Sequence, residues 1–229
     1  MLRRLIPLQD DTASVKKVRL RLAETLAALD KRDEAIEAAR RVLDLEPHQL
    51  EELQRTEELF RLLEAWTDLV RAMEIRAEVA GETGEPAEAL AVLYAIGALY
   101  AEKLEKREAG ASAYERILEL APGERNAFDA LREIYASSGD WRRYAAACER
   151  YLPGATEAGE RVGVLKELGA VQETRLGHKD LAFLSYCRAF SERPDDEEVR
   201  GAVHRLAEET SSFEELATVY EEVGDSVEK

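Results

Sequence analysis

The stretch KREAGASAYERILELAP, Lys106 to Pro122, has two counterparts in the same chain: KRDEAIEAARRVLDLEP, Lys31 to Pro47, and HKDLAFLSYCRAFSERP, His178 to Pro194. The offsets are 75 and 72 residues and persist beyond these segments. Gly97 pairs with Gly169, Tyr114 with Tyr186, and Trp141 with Trp66 and Phe213. A single helical hairpin cannot bury its own apolar face, so hairpins repeated in this way must stack on their neighbours to bury a continuous core. The period predicts one domain, residues 1–229, built from units at 12–80, 86–153 and 156–225. The joins, AGETGEP and PGATEAGE, carry the glycine and proline of turns.

Each unit divides into four apolar-periodic segments of helix length. Tyr114, Ile117, Leu118 and Ala121 fall on one helical face, and no strand-like alternation appears. Pro47, Pro122 and Pro194 each close a second helix, since proline biases its predecessor out of helix. Pro86 is placed to open one. Twelve helices in six antiparallel hairpins follow, an all-α chain.

Composition agrees: 35% charged and 45% hydrophobic residues, with 6 proline and 13 glycine. The apolar runs are too short to span a bilayer, so no membrane insertion is expected. MLRRLIPLQDD lacks an apolar core of signal length, which points to a cytoplasmic chain. Cys148 and Cys187 sit inside helical patterns and read as free buried thiols. The net charge is −16, with residues 154–229 holding 18 acidic and 9 basic side chains. Such a surface repels phosphate backbones and disfavours nucleic acid as a partner. It also suits solubility, and the acidic C-terminal third suits a basic segment.

The odd hairpins carry a recognisable pattern: Leu22-Ala23 and Leu26 before Ala35, Ala39, Val42 and Pro47; Ile96-Gly97 and Tyr100 before Gly110, Tyr114, Ile117 and Pro122; Leu168-Gly169 before Ala182, Tyr186, Ala189 and Pro194. This resembles the tetratricopeptide repeat (TPR). The small residues let a facing side chain settle against backbone. The even hairpins depart from it, with Glu57, Arg132 and His204 at the small position of the first helix. The alternation also resembles long repeat arrays of bacterial proteins. The resemblance implies a right-handed superhelical solenoid whose concave face, lined by first helices, binds a peptide or partner helix. The residues it places there are Lys17, Arg21 and Glu24, then Ala91, Tyr94, Ala98 and Ala101, then Lys166, Ala170 and Glu173. The carboxylate clamp of chaperone-binding repeats is not matched: Glu24 follows Lys17 and Arg21, and no asparagine appears among the matching positions.

Trp66 and Trp141 open second helices, and a repeated aromatic at one repeat position is expected in the core, with Trp141→Ala costing roughly 3–5 kcal/mol. The three histidines, His48, His178 and His204, have no metal-ligand spacing, and His204 with Glu208 reads as a surface contact. No phosphate loop or nucleophile elbow is present, so neither catalysis nor a cofactor or metal is expected. The expected function is a non-catalytic protein-binding scaffold. The alternative is a structural or assembly segment of a larger repeat protein or a homo-oligomer. Packing of Leu2, Leu5, Ile6 and Leu8 onto the first helix would cap the stack. The oligomeric state is not fixed by these residues.

Overall fold

The computed structural model describes residues 11–227, with side-chain surroundings described up to residue 224. Within them the secondary structure is helical, without strands, as the periodicity predicts. The chain forms two compact units, Met1–Ala113 and Tyr114–Lys229. In the first lie α1 (Thr12–Ala28), α2 (Arg32–Leu43), α3 (Leu50–Leu62), α4 (Trp66–Glu82) and α5 (Pro86–Glu102). The division falls inside α6 (Arg107–Leu120). The second unit continues with α7 (Arg125–Ser138), α8 (Trp141–Tyr151), a short 3-10 turn at Leu152–Gly154, α9 (Ala158–Thr174), α10 (Lys179–Glu192), α11 (Glu197–Thr210) and α12 (Phe213–Val227).

Successive helices pair as hairpins, α1 with α2, α3 with α4, α7 with α8, α9 with α10, α11 with α12. Neighbouring hairpins meet through α2 and α3, α4 and α5, α8 and α9, and α10 and α11. The second helices stop just before or within a few residues of Pro47, Pro122 and Pro194, and Pro86 opens α5. Asp140 caps α8 through the Arg143 N–H at 3.2 Å, and Asp196 caps α11 through the Glu198 and Val199 N–H groups at 3.0 and 3.1 Å.

The hairpin turns share one backbone device. Asp30, Glu105 and Gly177, which are repeat equivalents, have φ of 59°, 52° and 69°. Glu64, Gly139 and Ser211, the other equivalent set, have φ of 51°, 72° and 62°. Each residue reverses the chain in the left-handed region, and only two of the six are glycine, which occupies it without cost.

The core runs through each unit as a stack of small residues against large ones. Gly110 on α6 lies so close to α5 that a Cβ there would meet the Tyr100 Cβ at 3.1 Å and the Gly97 carbonyl oxygen at 3.3 Å. At Gly169 an added Cβ would stand 2.7 Å from the Tyr186 ring, so the aromatic fills the space that glycine leaves. Phe128 and Tyr151 stack with centroids 4.3 Å apart. Cys148 and Cys187 are free and buried, and burial pushes their thiols up to about 12 and about 11.

Two expectations need correction. Trp66 and Trp141 are half-buried rather than core, and Phe213 is 57% exposed. Their rings lie at the hairpin edge, where Lys103 sits over Trp66 at 5.4 Å and Arg175 over Trp141 at 4.8 Å. His204 contacts not Glu208 but the Tyr220 hydroxyl, 2.8 Å from its Nε2, because α12 packs beside α11. The packing expected of Leu2, Leu5, Ile6 and Leu8 lies outside the described residues.

Candidate functional site

In the N-terminal unit the first helices are α1, α3 and α5. Lys16 and Glu24 of α1 reach α3: the Lys16 ammonium donates to Glu52 at 3.0 Å and to the Pro47 carbonyl, and Arg55 pairs with Glu24 at 2.6 Å. Lys17 and Arg21, one turn apart, are exposed and have no ion-pair partner within 4 Å among the described residues.

The α5 sequence PAEALAVLYAIGALYAE holds two charged residues in seventeen, so its solvent side is formed by small apolar groups. Ala91, Ala98 and Ala101 are exposed and Tyr94 is half-buried. Its opposite side packs Ala89, Val92, Leu93 and Ile96 into the core. A helix exposing alanines lets a partner's larger side chains come close to its backbone.

The residues that break the repeat pattern hold polar clusters. Glu57, 4% exposed, receives both Arg76 Nε at 2.6 Å and Nη2 at 3.0 Å, and Arg76 also binds Glu88 on α5. Burial pushes the Glu57 carboxyl up, more than the Arg76 guanidinium draws it down. In the C-terminal unit the equivalent Arg132 donates to the Tyr144 hydroxyl at 3.2 Å and to Glu167 at 2.5 Å, joining α7, α8 and α9. The large polar residue at each "small" position is thus compensated by a partner from a neighbouring helix.

The C-terminal unit engages its candidate residues differently. Lys166 on α9 binds Asp196 at 3.2 Å and also Glu198, and these acids raise its ammonium above the usual lysine value, Glu198 most. Glu173 receives Arg205 from α11 at 2.7 and 2.9 Å. Ala170 between them is half-buried. Sequence reading places these three on the first-helix side but misses that α11 shares the charges. The partners lie some thirty residues downstream, beyond any local pattern.

A second surface carried no sequence expectation. Between α8 and α12, over α10, lies a cavity of about 410 Å³ lined mainly by apolar atoms of Leu181, Leu184 and Val219. A comparison of repeat equivalents would have found it, since those leucines stand where the first unit has Glu34 and Glu37. Among the described residues no group of three or more histidine, cysteine or acidic side chains is arranged to hold a metal ion. No described helix is long and apolar enough to cross a membrane.

Residues 17–49, covering most of α1, all of α2 and the turn after it, match the family model of the tetratricopeptide repeat. Residues 17–49 carry the pattern of one tetratricopeptide repeat. No curated protein matches the chain. Among solved structures, the crystal structure of MamA is 14% identical with a TM-score of 0.35, over 90% of this chain and 94% of that one. A thermophilic TPR protein of Thermus thermophilus is 17% identical, TM-score 0.32, over 83% and 98%. The TPR2AB domain of yeast Sti1, solved in a pHSP90 complex, is 13% identical, TM-score 0.31, over 92% and 90%. TPR proteins mediate protein–protein interaction.

Proposed function

We propose that the protein is a non-catalytic scaffold that receives a peptide or partner helix on a concave face lined by its first helices. In the N-terminal unit the contact residues are Lys17, Arg21, Glu24, Ala91, Tyr94, Ala98 and Ala101. The observation that carries this reading is the exposed alanine side of α5. A helix meant only to face water has no need to shed charge on its solvent side, whereas a partner's apolar anchors need a surface free of it. Lys17 and Arg21 then supply charge at one end. Lys166, Ala170 and Glu173 are the corresponding contact set of the C-terminal unit, where Asp196 and Arg205 fix the charged groups in place before a partner arrives.

Affinity capture from lysate of the source organism tests this, with wild type beside Ala98→Glu/Tyr94→Ala and, separately, Lys166→Glu. Circular dichroism establishes that each variant remains helical. A partner held by wild type and lost by the α5 variant supports the reading; a partner held equally by all three removes it. A second reading, assembly with further repeats or another copy, draws on Phe213, which α12 leaves 57% exposed. Light scattering that returns more than one chain per particle, reverting to one in Phe213→Ser, favours that reading instead.

A further inference from the structure

The cavity over α10 lies on the second-helix side of the C-terminal unit and shares no residue with the α5 surface. Its floor is Leu181 and Leu184, 48% and 52% exposed, which three-residue spacing sets on one face of α10. Val219 of α12 forms one wall, and Glu149 of α8 stands on the other side. The internal repeat supplies its own control. The positions of Leu181 and Leu184 are Glu34 and Glu37 in the first unit and Ala109 and Ser112 in the second, and all four of these are exposed. The hairpin therefore folds with glutamate, alanine or serine there, and packing within the repeat does not demand leucine. On the equivalent side of the first unit, Arg40 pairs with Asp68 at 2.7 Å and Arg71 with Asp44 at 3.0 Å, and the cavity lined by Arg40 and Asp68 is charged where this one is apolar.

We propose that this groove is a docking site for a basic amphipathic helix that sets leucine-like anchors against Leu181, Leu184 and Val219. Two observations choose that occupant. The first is charge. Residues 213–227, which make α12, carry five acidic side chains and no basic one. Glu222, at the groove, is exposed and has no basic partner among the described residues. Arg188, the cation at the groove, is already held by Glu149 at 2.9 and 3.0 Å. A second copy of a chain of net charge −16 would bring like charge to this rim. The second is hydrogen bonding. The floor's Ser185 hydroxyl donates to the Gln172 side-chain Oε1 at 2.7 Å, and the Arg188 pair is likewise closed. An extended segment would leave backbone amides unmet there, whereas a helix satisfies its own.

The test uses fluorescence anisotropy with three labelled eighteen-residue helical peptides. One has a leucine stripe and lysines elsewhere, one the same stripe with glutamates, and one the lysines with serines in the stripe. The full chain is compared with Leu181→Glu/Leu184→Glu, which installs the first unit's own residues, and with Glu222→Lys. The leucine–lysine peptide is expected to bind wild type and to weaken about tenfold or more with the double-glutamate variant. The sign is decisive, because two added glutamates strengthen any merely electrostatic attraction of a basic peptide. Binding that is unchanged or tighter in that variant overturns the proposal. So does equal binding by the leucine–glutamate or serine–lysine peptide, or no loss in Glu222→Lys. Self-association of wild type that the double-glutamate variant abolishes assigns the groove to a second copy and also overturns it. Unchanged helicity and midpoint of the variants in urea show that loss of binding is not loss of fold.

Discussion

Replacing Arg76 by methionine probes how the degenerate hairpins tolerate a buried carboxylate. Glu57 is 4% exposed and takes two hydrogen bonds from Arg76, whose side chain is itself mostly covered. Methionine keeps most of the arginine stem's packing and removes the charge. A carboxylate left unpaired in that position escapes by taking up a proton. From an ordinary pKa of 4.5, protonation at pH 7 costs about 3.4 kcal/mol. Arg76→Met therefore costs about 3 kcal/mol at pH 7. The cost shrinks by about 1.4 kcal/mol per pH unit as pH falls towards 4.5, because the proton becomes cheaper to bind. Glu57→Gln behaves otherwise. The folded carboxyl already sits above its ordinary value, so the folded state holds the proton more tightly than the unfolded chain does. Ionised Glu57 thus lowers stability as pH rises through that window, and its neutral isostere stays within about 1 kcal/mol of wild type. The double variant is then more stable than Arg76→Met alone at pH 7. Urea unfolding followed by circular dichroism at pH 7, 6 and 5 measures all three. A penalty for Arg76→Met that does not vary with pH, or a double variant as unstable as Arg76→Met, refutes the reasoning.

Four further outcomes follow from the backbone and the edges of the hairpins. Glu64→Gly and Glu105→Gly relieve left-handed residues and should each stabilise by about 0.5–1 kcal/mol, while Gly139→Ala loses about 1–2 kcal/mol, all read from urea midpoints. At Gly154 an added Cβ would lie 1.7 Å from the Pro122 carbonyl oxygen, so Gly154→Ala costs at least roughly 2–3 kcal/mol. Gly163→Ala in α9 meets nothing within 4 Å and gains up to about 1 kcal/mol of helix propensity. Trp141→Ala costs about 1–2 kcal/mol, because the ring is only half covered; a loss near 4 kcal/mol in thermal or urea unfolding would restore it to the core.

The helices are legible because each is written twice over, by its apolar period and by the proline or glycine that ends it. Pro86 and Pro122 mark real boundaries, and Gly110 and Gly169 mark real close approaches. The left-handed turn residues are equally open to reading, since Asp30, Glu105 and Gly177 stand 75 and 72 residues apart, but their side chains share no chemistry. What the sequence hides is pairing between helices. Glu57 reads as a flaw in a repeat until Arg76, nineteen residues on, supplies its counter-charge. Lys166 and Glu173 read as available until Asp196, which caps α11, and Arg205 on α11 supply their counter-charges. The tryptophans mislead for a related reason. A repeated position shows that a residue packs on the next hairpin but not how much of it stays in water.

Hydroxyl-radical footprinting of the captured complex bears most directly on the scaffold reading. With partner bound, oxidation of Tyr94 is expected to fall several-fold relative to the free chain, with Tyr220 and Phe213 unchanged. Tyr94 oxidised equally with and without partner, while Phe213 or Leu184 becomes protected, would place the principal interface on the second-helix side and contradict the account.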